Sequence, residues 1–175
     1  MGKMAVDGKP KRERTPKQAL NALMRQCARA ERSSGDALRL MRGWGISEGN
    51  MQQILKQLIS ERYIDDRRYA AAFVRDKINL STWGSRKIAI ALSRKGIDSQ
   101  IIRDTLAEYD EIDDEERLEG LLRKKMARTK ASSLFDLRAK LMRYAASQGY
   151  KFDVISSCIA KITQNAESED EDSFM

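Results

Sequence analysis

Three glycines set the frame of this 175-residue chain, because each stands at the same place in a repeated apolar register. Gly45, Gly96 and Gly149 each end an amphipathic stretch, and each is followed at once by an apolar residue: Ile46, Ile97 or Tyr150. A glycine that tolerates positive φ, followed by an apolar residue that folds back on the last turn, is a helix stop. Counting onward, positions +6, +10 and +13 hold Met51, Leu55 and Leu58, then Ile102, Leu106 and Tyr109, then Ile155, Ile159 and Ile162. Position +9 adds Ile54, Thr105 and Cys158. Each set lines one face of a 3.6-residue helix. Upstream, position −4 holds Met41, Leu92 and Ala145 and position −8 holds Ala37, Ile88 and Leu141, so a second helix precedes every turn. Glycines 51 and 53 residues apart point to stacked supersecondary units rather than one bundle.

A leading helix opens each unit: Gln18 to Glu31 with Leu20, Leu23, Met24 and Cys27; Asp66 to Ile78 with Tyr69, Ala70, Phe73 and Val74; Asp113 to Arg128 with Leu118, Leu121, Leu122 and Met126. The expected fold class is therefore all-α, with three tandem three-helix, helix-turn-helix-like repeats over 18–64, 65–111 and 112–165. A basic extension over 1–17 and an acidic tail over 166–175 are expected to be disordered. Both prolines lie before residue 17, and β-branched and aromatic residues never alternate as a strand requires. Caps are expected at Ser34 or Asp36, Asp66, Ser85, Asp98 and Asp113. The pairs Asp65-Asp66 and Asp113-Asp114 are then helix starts, where a carboxylate offsets free amides by ~0.3–1 kcal/mol, rather than catalytic clusters.

Histidine is absent and only Cys27 and Cys158 offer soft ligands, so a structural zinc, a histidine-based acid–base mechanism and any other metal or cofactor are not expected. No phosphate-binding loop, dinucleotide fingerprint or nucleophile elbow occurs, and no enzymatic activity is expected. Without an apolar leader or a run of about 20 apolar residues, the chain reads as cytoplasmic and without a membrane partner. Two lone cysteines in a reducing compartment read as small buried hydrophobes.

The net charge is +7, concentrated in the first third, which suits a polyanion or an acidic protein surface. Arg25, Arg29 and Arg32 fall opposite Leu20, Met24 and Cys27 as a basic stripe on the first helix. Arg68 and Arg75 share the face opposite Phe73, and Lys87 and Arg94 the face away from Ile88 and Leu92. Arg117, Lys124 and Arg128 repeat the pattern. Such stripes either solubilise a helix or track phosphates or an acidic groove. Trp83-Gly84-Ser85-Arg86-Lys87 sets a ring, a glycine and a cation pair at a helix start, which either seats an anion or folds Trp83 over its own helix as a staple.

The run Leu58-Ile59-Ser60-Glu61-Arg62-Tyr63-Ile64-Asp65-Asp66-Arg67-Arg68-Tyr69-Ala70, continuing through Phe73-Val74-Arg75, resembles the hallmark of the RecX regulatory family. The similarity goes on through Gly84, Arg86-Lys87-Ile88, Leu92 and Lys95-Gly96-Ile97, with an echo in Lys140-Leu141, Arg143-Tyr144 and Gly149-Tyr150, and covers about residues 18 to 165. The resemblance implies an elongated, curved monomer lying in the groove of the RecA filament on single-stranded DNA. It also implies inhibition of the RecA ATPase, recombinase and co-protease activities, and hence modulation of DNA repair, homologous recombination and the SOS response. It brings no catalytic residues, so the candidate contacts are the cations named above together with Arg86. The competing readings are a basic helical-repeat module that binds single- or double-stranded DNA without RecA, and a helical scaffold for another partner.

Overall fold

The computed structural model describes residues 13–108 and 111–171, the last seven of these and 111–113 by their backbone alone. Among the described residues there are nine helices and no strand. They are α1 (Pro16–Cys27), α2 (Ser34–Gly43), α3 (Glu48–Ser60), α4 (Asp66–Ser81), α5 (Ser85–Arg94), α6 (Ser99–Ala107), α7 (Glu111–Met126), α8 (Leu134–Gln148) and α9 (Phe152–Glu171). The fold is all-α and built of three-helix sets. No described helix is long and apolar enough to cross a membrane.

The glycine stops hold: Gly45, Gly96 and Gly149 have φ of 74°, 76° and 88°. After Gly45 the Ile46 amide returns to the Met41 carbonyl at 3.1 Å, and after Gly149 the Tyr150 amide returns to Ala145 at 3.4 Å. These bonds satisfy carbonyls that a helix end otherwise leaves open. Ile46, Ile97 and Tyr150 are all buried beside them.

The chain divides into two compact units. One comprises the residues up to Tyr69 together with Lys95–Ile97; the other comprises Ala70–Arg94 and the chain from Asp98 onward. The core of the first gathers Ala19, Leu23, Ala37, Met41, Met51, Ile54 and Leu58. The second holds a core of Leu118, Leu122, Leu141, Ala145, Tyr150, Ile155, Cys158, Ile159 and Ile162. The repeat register is buried at +6 in all three sets, at Met51, Ile102 and Ile155. It is buried also at +9, in Ile54, Thr105 and Cys158, whereas at +10 Ile159 is buried and Leu55 and Leu106 are half-buried. In the first two sets the buried stripe is thus centred nearer +9 than +10, one helical step of about 100° away. Tyr109 lies outside the described residues.

Three local expectations are corrected. α1 stops at Cys27, not Glu31, because the Arg29 and Ala30 amides both turn back to the Gln26 carbonyl as the chain swings toward the next cap. That cap is Ser33, whose Oγ accepts from the Asp36 amide at 3.1 Å, rather than Ser34 or Asp36. At α4 it is Asp65 that accepts from the Arg68 amide, at 3.0 Å, while Asp66 accepts from the Ser34 amide at 2.8 Å. Asp98 caps α6 as expected. The backbone of α9 stays helical through Glu171, beyond the point where disorder was expected, since extending a nucleated helix costs little per residue. Residues 1–12 and 172–175, and the Asp113 side chain, lie outside the described residues.

Candidate interaction surface

Thr15 and Gln18 form a reciprocal capping box at the start of α1, with Pro16 in the first turn, where its missing amide costs nothing. Ala19, Ala22 and Leu23 bury one side of α1, which leaves Arg25 on the exposed side and Arg29 just past the helix end. Arg14, immediately before the cap, lays its guanidinium 4.1 Å from the centre of the Trp44 ring. An open depression of about 460 Å³ is lined by Glu13, Arg14, Gln18, Asn21 and Arg25. A second, of about 180 Å³, shares Arg14 and Arg25 and adds Ala22, Gln26 and Arg29. Three arginines therefore converge on one concave face. Neither Arg25 nor Arg29 has a side-chain partner among the described residues. Arg14 escaped the sequence reading, because its place depends on Trp44, far along the chain.

The other candidate cations divide. Arg75, Arg86, Lys124 and Arg128 are exposed and have no side-chain partner among the described residues, Arg128 lying past the end of α7. Arg94 is exposed. Arg68 is engaged: its Nε donates to Glu31 at 2.6 Å and its Nη2 to the Arg62 carbonyl at 3.2 Å. The Glu31 bond, with the carboxylate charges around it, raises its already high pKa further. Arg117 pairs with Asp114 and is half-buried. Arg32 is also half-buried, lies beyond α1, and has its Nε shielded from solvent without a partner among the described residues. A continuous solvated stripe through Arg25, Arg29 and Arg32 is therefore corrected to a pair, Arg25 and Arg29, joined by Arg14.

The Trp83 ring meets its own helix at Lys87, and Lys77 of α4 as well. Lys77 Nζ lies 4.8 Å and Lys87 Nζ 4.6 Å from the centre of the half-buried Trp83 ring, so the indole is held by two ammonium groups. Two of the amides at this helix start are used: Gly84 donates to the Gln148 carbonyl at 2.9 Å and Arg86 to the Gly149 carbonyl at 3.1 Å. Lys87 also donates to Gln148 Oε1 at 3.4 Å.

Both cysteines are free thiols; Cys158 is buried, and Cys27 is half-buried rather than buried. Burial first, then the charges of Glu115 and Glu119, pushes the Cys158 thiol up from 9.0 to about 11, which leaves it protonated and inert near neutrality.

Comparison with known proteins places this architecture. The family model for the second three-helix domain of RecX matches residues 65–106, and the model for its third three-helix domain matches 113–159, together just over half of the chain. The chain belongs to the RecX family. A regulatory protein RecX of Geobacillus thermodenitrificans is 27% identical over 143 residues, covering 82% of this chain and 53% of that protein. A RecX of Clostridium perfringens is 30% identical over 123 residues, covering 69% of this chain and 57% of that one. The chain thus spans about half the length of the curated relatives it matches. The crystal structure of RecX from Lactobacillus salivarius superposes with a TM-score of 0.76 at 27% identity, covering 83% of this chain and 95% of that one. The hallmark run of the RecX resemblance is a helix junction here. Arg62 takes φ of 60°, Tyr63 and Ile64 donate back to the Leu58 carbonyl, and Asp65 starts α4.

Proposed function

We propose that this chain regulates RecA on single-stranded DNA by lying in the filament groove, where it favours some protomer arrangements over others and lowers ATPase, recombinase and co-protease activity. The reading draws its partner from membership of the RecX family. The single observation that supports a contact surface is the convergence of Arg14, Arg25 and Arg29, cationic groups without carboxylate partners, on one open face. Arg75, Arg86, Lys124 and Arg128 extend the set of cations available to acidic protein surface or to DNA. Arg68, Lys87 and Arg117, already engaged within the chain, are assigned structural duties instead. The test is the DNA-dependent ATPase of RecA titrated with the wild-type chain and with Arg25→Glu/Arg29→Glu. The wild-type chain should inhibit and the double variant should need at least about tenfold more protein for the same effect, one such step being about 1.4 kcal/mol. A flat response to excess wild-type chain refutes the function, and equal inhibition by both refutes the surface.

The same arginine face favours a second reading, a module that binds DNA without RecA. Direct binding would weaken steeply with salt, because each phosphate neutralised releases condensed counterions. The two readings separate in a salt titration on single-stranded DNA with RecA left out.

A further inference from the structure

Trp83 belongs to neither of the two hydrophobic cores, whereas Trp44, the chain's other tryptophan, packs against the core of the first unit. The backbone of Trp83 is nonetheless pinned on both sides. The Tyr150 hydroxyl donates to the Thr82 carbonyl at 3.2 Å, the Trp83 amide to the Lys77 carbonyl at 3.2 Å, and the Gly84 amide to the Gln148 carbonyl at 2.9 Å. Thr82 is held at φ of 51°, a conformation that costs a β-branched residue free energy and persists only where the surroundings over-determine it. A half-buried indole, part of it facing solvent, is thus fixed in place by strain that core packing does not offset.

Rings and cations alternate around it. Lys77 Nζ lies 5.3 Å from the centre of the Phe73 ring and 4.8 Å from that of Trp83, and Lys87 Nζ lies 4.6 Å from Trp83. Lys87 is anchored by Gln148 and holds the ring. The Lys77 ammonium has no hydrogen-bonding or carboxylate partner among the described residues. Its neighbours three and four places away on α4 are Phe73, Val74, Leu80 and Ser81, none of them acidic. Arg86, exposed three residues beyond the indole, also has no side-chain partner among the described residues. Leu80, three residues before it and 82% exposed, adds apolar surface. A fixed π-face beside two cations that nothing neutralises suits a ligand that is flat and anionic at once. An ammonium on a partly exposed ring is held more weakly than a stacked base, so Lys77 yields the ring to a base and turns its flexible stem toward a phosphate.

We infer that Trp83 is a stacking platform for an unpaired base of a single nucleic-acid strand, with Lys77 and Arg86 meeting the flanking phosphates and Lys87 holding the ring. The inference rests on the DNA-binding reading above and adds a base contact to its phosphate contacts. A duplex keeps its base faces covered, and a run of glutamates offers charge to the cations but nothing flat to the indole, so neither uses the whole site.

The test is a titration of the full chain with oligothymidylate, RecA left out, read by tryptophan emission and by the anisotropy of a labelled strand. In Trp44→Phe, where Trp83 is the sole indole, emission should be quenched on binding. In Trp83→Phe, which keeps a π-face, the quench should be lost while the strand still binds within about threefold of wild type. Trp83→Ala should bind at least about tenfold more weakly with an unchanged salt slope, because a stacked base is lost and no phosphate contact. Lys77→Gln should instead lower the salt slope by about 0.7, the release from one phosphate on a single strand. Binding without quenching of Trp83, or a Trp83→Ala affinity equal to wild type, overturns the inference and leaves DNA binding standing. Equal quenching by a duplex or by polyglutamate does the same. No binding of the wild-type chain at low salt overturns both. Should Trp44→Phe lose helix content, the difference in quenching between the wild-type chain and Trp83→Phe decides, and no difference overturns the inference.

Discussion

Alanine placed at Gly149, Gly45 and Gly120 should give three different answers from one chemical change. At Gly45 the backbone has φ of 74° and the nearest foreign atom stands at an ordinary 3.5 Å, so only the left-handed conformation is charged, about 1 kcal/mol. At Gly149 the same strain applies, but the new Cβ would lie 2.3 Å from Lys87 Cβ and 2.5 Å from the Lys87 amide nitrogen. α5 must then withdraw, which threatens the bonds from Gly84 to Gln148 and from Arg86 to Gly149. With a net contribution of about 1 kcal/mol each, the total destabilisation comes to about 3 kcal/mol. Gly120 lies inside α7 with nothing within 4 Å of a Cβ, so alanine should stabilise by about 0.8–1 kcal/mol. Urea denaturation followed by far-ultraviolet circular dichroism measures all three, with unchanged slopes confirming comparable unfolding. A Gly149→Ala midpoint no lower than that of Gly45→Ala would refute the close-approach reasoning.

Arg62, like Thr82, holds a positive φ without being glycine, at 60° and 51°, so Arg62→Gly should raise stability by about 1 kcal/mol in the same assay. Ile54→Ala should cost about 2–5 kcal/mol and Leu55→Ala clearly less, since Ile54 is buried and Leu55 half-buried. Cys158 has a folded pKa above its unfolded one. Its contribution to stability is thus complete below about pH 9 and is lost as pH rises toward 11, with Tyr150, also raised by burial, acting in the same direction. A urea midpoint that does not fall between pH 8.5 and about 10.5 would contradict this. In native protein a thiol reagent should modify Cys27 well before Cys158, and equal rates would refute the burial assignment.

Helix positions were legible because the glycine stops and the apolar stripe are local signals, set by neighbours within a turn or two. The end of α1 was not, since Ala28-Arg29-Ala30-Glu31 has good helix propensity and is overruled only by Ser33, which must be placed to cap α2. Charge patterning showed which helix faces are wet but not which cations are spent. Arg68 is neutralised by Glu31, 37 residues away, and the amides of Gly84 and Arg86 at the start of α5 are taken by Gln148 and Gly149. Arg14 illustrates the converse: it sat in a stretch read as disordered, yet its amide and its guanidinium both find Trp44. Non-local pairing leaves no periodic trace, so a stripe of arginines is a set of candidates until coordinates remove those already matched.

Lys95–Ile97 packs with the residues up to Tyr69 although the helices on either side of it belong to the other unit. The Lys95 ammonium reaches Asp36, a carboxylate in a mostly buried residue, at 3.0 Å, and the backbone of the same residue receives Ser33. Dissection of this protein by truncation is therefore hazardous. A fragment ending at Tyr69 would strand Asp36 and Ser33 without the lysine and carbonyl they rest on, and its failure to fold or bind would report a missing tripeptide rather than a missing function.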